Sequence, residues 1–469
     1  MPRTVWSPQP KQALFMSRPE YEALYGGAAG GGKSDALLME GLRQVRIPHY
    51  RGLILRKTYP QLSEIIDRSR EIYRAAFPGA RFSATEHCWT FPSGAKIYFG
   101  SMQHTSDRIN YQGKRYDYIA FDELTHFTFD EYSYLFSRNR PNGPGTRCYI
   151  RAATNLGGIG HGWVKERFVT PAPPMTTMYT PVTYADENGE LVTKSRSRIF
   201  IPARVTDNRQ LLHNDPDYMA SLSMLPHQER EALLNGSWDT FSGQVFTEWR
   251  NDPGQYQSRK LTHVIAPFYI PEHWRIYRGL DWGYSKPFAV GWFAVDEQRR
   301  IYHIREYYGY TGVPDQGLRM EPCQVAAKIR QIEADDPMLR GKRISGVADP
   351  AIFQRTSGQS VADLFDRERV AFYPGDNSRL PGKMQLHYRL HFGDLGQPMF
   401  YVFNTCLNFI RTVPSLVYDL RDPEDIDSRG EDHIYDMVRY VLMENPITAP
   451  LPPKLEPVEP DPLGVKSRR

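Results

Sequence analysis

Residues 22–34 read Glu22-Ala23-Leu24-Tyr25-Gly26-Gly27-Ala28-Ala29-Gly30-Gly31-Gly32-Lys33-Ser34. A short apolar stretch runs into glycines and then into Lys33-Ser34. Ala36, Leu37, Leu38, Leu42 and Val45 follow at near-helical spacing up to Pro48. Gly27 to Ser34 fits the pattern G-x-x-x-x-G-K-[ST], in the strand–loop–helix setting that the pattern requires. Gly27, Gly30, Gly31 and Gly32, with Ala28 and Ala29 between them, let backbone N–H groups turn toward phosphate oxygens. Lys33 reaches the outer phosphates, the Ser34 hydroxyl suits Mg²⁺, and the helix points its positive end at the anion. The competing reading is a glycine-rich turn with a chance Lys-Ser. The setting favours ATP with Mg²⁺.

Working outward, residues 52–55 (Gly-Leu-Ile-Leu) and 118–121 (Tyr-Ile-Ala-Phe) read as buried strands, with an amphipathic helix over 61–73 between them. The second strand ends in Asp122-Glu123. Asp122 is expected to hold Mg²⁺ and Glu123 to polarise the attacking water. A further strand at 148–153 ends in Thr154-Asn155, and Asn155 is a candidate sensor of the terminal phosphate. Arg138 and Arg140, beyond the acidic strand, are candidate arginine fingers in cis or from a neighbouring subunit; a surface or DNA-facing role competes. Upstream, Gln12 is a candidate reader of the adenine edge, with Gln9 as its rival. Strands alternating with helices predict an α/β fold with a mostly parallel sheet covered on both faces.

At 469 residues the chain is too long for one core at roughly 100–200 residues per domain. A second block starts near Trp274, with strands at 277–280, 288–295, 301–306 and 344–348. Helices are expected at 325–334 and 434–443. Asp281 and Asp349 each end a strand, while Asp432 and Asp436 stand one turn apart at the start of the last helix. Carboxylates converging from strand ends and a helix suit one or two Mg²⁺ or Mn²⁺ ions. Two ions about 4 Å apart suit phosphodiester hydrolysis. Taken singly, each acid also reads as a helix cap or a surface charge. Residues 186–197 read as a hairpin tip or a mobile excursion, 226–234 as a helix closed by Asn235-Gly236, and 237–269 as a connector.

The expected division is 1–240 for the nucleotide domain, 241–270 for a linker, 271–445 for the second domain and 446–469 for a proline-rich flexible tail. Net charge is only +4, so charge alone does not argue for nucleic acid. The longest apolar run, 288–295, is far short of the ~20 residues of a membrane helix, and no membrane role is expected. Met1 to Trp6 shows no secretory h-region. Cys88, Cys148, Cys323 and Cys406 are scattered, without a C-x-x-C, which suits a reducing compartment.

Tyr25 to Ser34, Ile119 to Glu123 and Ala153 to Gly158 follow in order. Further on come Gly160 to Lys165, Ile201 to Arg204, Gly236 to Trp238, Asp281 to Gly283 and Asp432 to Asp436. Together, over about residues 10–442, they resemble the large terminase subunit of tailed double-stranded DNA bacteriophages. That resemblance implies an additional-strand, RecA-like P-loop ATPase followed by a ribonuclease H-like nuclease. It implies a packaging motor that cuts concatemeric DNA and pumps it through a portal protein into a procapsid, aided by a small terminase subunit. A ring of subunits would form on the procapsid. The implied location is the host cytoplasm and, transiently, the portal, not the mature virion. The implied nuclease acids are Asp281, Asp349 and Asp436, with Asp432 nearby. Some family members carry an arginine in the phosphate loop; here Ala28 and Ala29 stand there, which turns attention to Arg138 or Arg140 in trans. The competing readings are an ATP-dependent helicase or repair ATPase whose second block is only a DNA clamp, and a scaffold protein with a dead nucleotide fold. A clamp has no need of acids at three strand or helix ends, and intact Lys33, Asp122 and Glu123 argue against the scaffold.

Overall fold

The computed structural model describes residues 4–28, 30–224, 230, 236, 238–239, 241, 243–355, 358–419 and 421–448. Ala29, the expected helix at 226–234 apart from residue 230, its cap residue Asn235 and the tail from 449 onward lie outside the described residues. The architecture is α/β, built on two sheets.

The first sheet has nine strands. Its strands in chain order are β1 (Glu22–Gly27), β2 (Arg51–Arg56), β3 (Arg81–Ser83), β4 (Cys88–Thr90), β5 (Lys96–Ser101), β6 (Tyr118–Asp122), β7 (Tyr149–Thr154), β8 (Met178–Ala185) and β9 (Leu191–Ala203). Across the sheet they run β3-β4-β5-β2-β6-β7-β1-β9-β8. All neighbours from β5 to β9 in that order are parallel. Every residue of β1, β6 and β7 is buried, as a parallel sheet covered on both faces demands. β7 lies between the loop-bearing β1 and the acidic β6, which is the additional-strand order. The helix Tyr59–Ala76 contains the expected span; it buries Leu62, Ile65, Ile66, Ile72 and Tyr73 along one face. The excursion read at 186–197 is mostly strand. β8 and β9 pair antiparallel from Met178–Arg198 to Ala185–Leu191, and the tip is closed by Asp186, whose carboxylate accepts the Asn188 and Glu190 N–H groups.

The second sheet contains β10 (Val264–Ile265), β11 (Arg275–Asp281), β12 (Ala289–Val295), β13 (Ile301–Tyr308), β14 (Ile344–Ala348), β15 (Tyr373–Pro374) and β16 (Phe400–Phe403). Their order is β10-β16-β13-β12-β11-β14-β15. β11, β12 and β13 form an antiparallel meander, and β14 and β15 add in parallel beside β11. This 3-2-1-4-5 arrangement is that of ribonuclease H-like folds. The last helix, His433–Met443, crosses β11 and β12 closely because both strands carry glycine beneath it. A Cβ on Gly279 would sit 2.9 Å from the Met437 carbonyl oxygen, and one on Gly291 2.7 Å from the Met437 sulfur.

The linker expectation for 241–270 is corrected. Val245, Phe246, Ile265 and Ile270 are buried in the second core. The Val245 N–H donates to the Leu416 carbonyl at 2.9 Å, and Trp249 stacks on His263. Apolar residues too widely spaced to show a period bury this stretch against the second sheet. The region 350–432 also carries structure that the sequence pattern does not announce. The helices Val361–Arg367, Arg379–Leu390 and Leu407–Thr412 lie there. The two lobes touch where Arg411 meets Glu166 at 3.2 Å and where Gly162 approaches Ser415.

Substituting Gly279 tests the close helix crossing. Gly279→Ala is expected to cost about 2 kcal/mol, because the methyl group meets backbone rather than a yielding side chain. Denaturant unfolding measures this; a loss under about 0.5 kcal/mol would contradict so tight a packing.

Candidate active sites

The first site forms at the carboxyl ends of β1, β6 and β7, where parallel sheets gather their ligands. Gly27, Gly30 and Gly32 all have positive φ. At Gly27 a Cβ would stand 2.6 Å from the Ala203 carbonyl oxygen, so the loop can leave β1 only through glycine. The Tyr25 hydroxyl donates to Gly31 O at 3.0 Å and Gln12 Nε2 to Gly32 O at 2.7 Å. Asn208 Nδ2 donates to Gly30 O, and Asn208 is itself bonded to Gln9. The expected adenine readers are therefore otherwise engaged. Gln12 uses its amide on Gly32 and on the Gln9 N–H, and Gln9 uses its own on Asn208 and the Arg209 N–H. Gln12 braces the phosphate loop directly and Gln9 does so through Asn208.

Lys33 is buried, and its ammonium donates to the Ala28 carbonyl inside the loop. Burial pulls its pKa down to about 8, against the opposing pull of Glu123 and Asp122. The Ser34 hydroxyl lies 3.1 Å from both oxygens of Asp122. The fully buried Asp122 is pushed upward by burial and held down by Arg56, whose Nε and Nη2 both sit 2.7 Å from Oδ2. Arg56 ends β2 beside Asp122 and was not a sequence candidate. An arginine at a strand end with no partner in sequence gives no motif.

Glu123 stands at φ 57°, a left-handed conformation that costs energy for a non-glycine residue. Its carboxylate accepts the Asn155 N–H at 3.0 Å and the Asn155 side-chain amide at 2.7 Å. Asn155 thus orients Glu123 and keeps its own Oδ1 buried and unpartnered among the described residues. The turn after Asn155 folds over the one after Glu123: the Gly160 N–H donates to Thr125 O at 2.7 Å. A Cβ on Gly160 would lie 2.2 Å from the Phe127 carbonyl oxygen.

Arg138 and Arg140 are not brought to this site. The Tyr116 N–H donates to Arg138 O, so both arginines flank the start of β6, whereas Asp122 ends it. A five-residue strand separates the two ends, roughly 16 Å. A role in cis is corrected on that ground.

The site's fit to ATP and Mg²⁺ rests on its donor set. The glycine cradle has no room for a Cβ at Gly27, Lys33 is buried within it, and the Ser34–Asp122 pair offers hard oxygens.

The second site forms at the carboxyl ends of β11 and β14. The Asp349 N–H donates to Leu280 O at 3.2 Å, which sets Asp349 beside Asp281 on the adjacent strand. Asp432 stands at the N-cap position of the last helix without a side-chain capping bond, and Asp436 lies one turn on. Burial pushes Asp281 up to about 6 and Asp432 up to about 7; Asp436 adds repulsion to both. Two cations offset the cluster, and neither was a sequence candidate. His433 lies 3.2 Å from Asp281 and 3.1 Å from Asp315. Burial opposes its charge, but these two carboxylates outweigh that and hold it near 10. Arg439 donates twice to Asp436, at 3.1 and 2.9 Å. Asp436 and Asp349 repel Asp281, and Asp436 and Asp281 repel Asp432, so the four acids share one neighbourhood, and carboxylate oxygens are the hard donors that suit Mg²⁺ or Mn²⁺.

The raised carboxyl groups set a pH dependence. An acid whose folded pKa lies above its unfolded value stabilises while it keeps its proton, and that contribution is lost as pH rises through the folded value. For Asp432 the window runs from about 4 to about 7. Metal-free Asp432→Asn should therefore melt about 2–4 °C above the unsubstituted protein at pH 8 and match it near pH 4. A lower melting point at pH 8 would contradict the strained cluster.

Residues 24–250 match the family model described as "Terminase large subunit, T4likevirus-type, N-terminal". No curated protein matches the chain. Among solved structures, the large terminase from a thermophilic bacteriophage, in complex with ATP-gamma-S, is 15% identical. The alignment covers 92% of this chain and 98% of that one, at a TM-score of 0.36. The HK97 bacteriophage large terminase is 11% identical over 93% of this chain and 94% of that one, with a TM-score of 0.43. The nuclease domain of the P22 large terminase is 18% identical over 43% of this chain and 92% of that one, with a TM-score of 0.32. Residues 24–250 belong to the terminase large subunit family, as its T4likevirus-type N-terminal domain.

Proposed function

We propose that this chain is the motor subunit that drives double-stranded viral DNA into a procapsid with ATP and cuts that DNA by metal-dependent phosphodiester hydrolysis. One observation carries the reading. A phosphate loop with an oriented Glu123 and a cluster of four buried or half-buried aspartates sit on one chain, each at the carboxyl ends of its own sheet. The helicase-with-clamp alternative gives no reason for the second cluster.

In the first site the loop N–H groups and Lys33 bind the phosphates of ATP. Ser34 and Asp122 are the residues to hold Mg²⁺, which when bound neutralises charge on the phosphates. Glu123, fixed by Asn155, accepts a proton from the attacking water, and the free Asn155 Oδ1 accepts a second hydrogen bond from it. In the second site Asp281, Asp349 and Asp436, with Asp432, hold Mg²⁺ or Mn²⁺, two ions in the fullest form. The bound metal supplies Lewis acidity for water and for the leaving oxygen. His433 keeps Asp281 oriented and ionised. Arg138 and Arg140 are left a role toward a neighbouring subunit of a ring or toward DNA. The portal protein and a small terminase subunit are the proposed partners, and the host cytoplasm and the procapsid portal the proposed locations.

Packaging tests the reading directly. Chain, ATP, procapsids and linear DNA should give nuclease-protected DNA, and Lys33→Ala should give none. Protection without ATP, or with Lys33→Ala, would reject the motor. Asn155→Ala should keep ATP binding within about threefold but lower turnover at least tenfold, because Glu123 loses the side-chain amide bond to its Oε1 and keeps only the backbone N–H bond. Equilibrium binding beside steady-state hydrolysis separates the two; unchanged turnover would remove Asn155 from positioning Glu123.

A further inference from the structure

The nucleotide site contains a cation that the phosphate-loop motif does not include. Arg56 ends β2, the strand next to β6, at the carboxyl edge of the sheet. Its Nε and Nη2 both lie 2.7 Å from Asp122 Oδ2. The Ser34 hydroxyl lies 3.1 Å from that same oxygen. The guanidinium is therefore within roughly 6 Å of the Ser34 hydroxyl, less than an extended arginine side chain. Its third nitrogen, Nη1, donates to the Gln61 carbonyl at 2.9 Å and lies 3.5 Å from the exposed Glu64. That arm anchors the group to the start of the helix Tyr59–Ala76 while the other two face the site.

Charge decides what this contact can do. Asp122 is fully buried, and a buried carboxylate needs a partner. In the structure that partner is Arg56, whose guanidinium is charged at any working pH. When Ser34 and Asp122 hold a divalent cation, Asp122 gains a stronger partner and Arg56 is released. The nearest new anion would be the outer phosphates of ATP. The loop carries Ala28 where a second cation could stand, and among the described residues Lys33 and Arg56 are cations that interact with both Asp122 and Glu123.

We propose that Arg56 is a positioning residue of the nucleotide site, an internal stand-in for the metal that yields Asp122 on loading and turns to the terminal phosphate. The inference rests on the ATPase reading above and adds two consequences. Arg56 competes with Mg²⁺ for Asp122, and, turned to the terminal phosphate, it would favour ATP over ADP.

The test is equilibrium binding of fluorescent ATP and ADP analogues to the full chain over a Mg²⁺ titration. In Arg56→Gln the ATP-to-ADP affinity ratio should fall about tenfold with ADP affinity held within about twofold, the loss of one charge-assisted phosphate contact. The Mg²⁺ concentration at half-saturation should fall at least threefold, since Asp122 loses its rival cation. Arg56→Lys keeps the charge but not the two-nitrogen fork, and should give an intermediate ratio. An unchanged ratio and unchanged Mg²⁺ dependence in Arg56→Gln would overturn the proposal. If Arg56→Gln does not fold, a wild-type ratio in Arg56→Lys overturns it and an intermediate one supports it. Failure of the unsubstituted chain to bind either nucleotide would instead reject the ATPase reading itself.

Discussion

The Asp122 carboxylate holds the first lobe's chemistry together. It is buried beneath the carboxyl edge of the sheet, and three chain segments meet on it: β6, the start of the phosphate-loop helix through Ser34, and the end of β2 through Arg56. Removing a carboxylate from water is costly unless partners satisfy it. The sheet order supplies those partners. With β7 between β1 and β6, the loop and the acidic strand stand apart by one strand, and Glu123 is left facing Asn155 at the end of that strand. The left-handed backbone at Glu123 is where the constraint is most visible, since the turn must aim two consecutive acids in different directions.

The second lobe answers a similar demand differently. Its acids are close enough to repel, and burial raises Asp281 and Asp432 rather than one dominant cation lowering them. His433 and Arg439 offset part of the charge. Such a cluster gives up stability in the folded protein, the usual signature of a functional rather than a structural site. The lobes meet near both chemistries. Glu166 follows the turn that begins at Asn155, Arg411 bonds both Glu166 and Glu431, and Glu431 precedes Asp432.

Much of this is legible in the sequence where chemistry and local spacing coincide. The loop at 27–34, the strand ending at Asp122-Glu123 and the strand ending at Thr154-Asn155 each carry a residue run that announces its element. Asp281, Asp349 and the Asp432–Asp436 pair stand out because each follows an apolar strand or opens an apolar helix. What the sequence hides is non-local. Arg56, Asn208, Asp315 and His433 act through partners 66, 178, 118 and 152 residues away, and no window shows such pairs. The sequence shows an amide at Gln12 near a phosphate loop but not that it donates to the loop's Gly32 carbonyl. The stretch 241–270 misleads because residues such as Val245 and Phe246 bury by packing on a distant sheet, with no period of their own.

The central claim is that one chain carries two separate hydrolytic sites, one for ATP and one for DNA. Parallel rates on the full chain and two variants test it most directly: steady-state ATP hydrolysis and plasmid cleavage with Mn²⁺, for Glu123→Gln and for Asp349→Asn. The account predicts that Glu123→Gln loses at least a hundredfold in ATP turnover while still cutting plasmid, and that Asp349→Asn does the reverse. Loss of both activities in both variants, or cleavage that survives in Asp349→Asn, would contradict it.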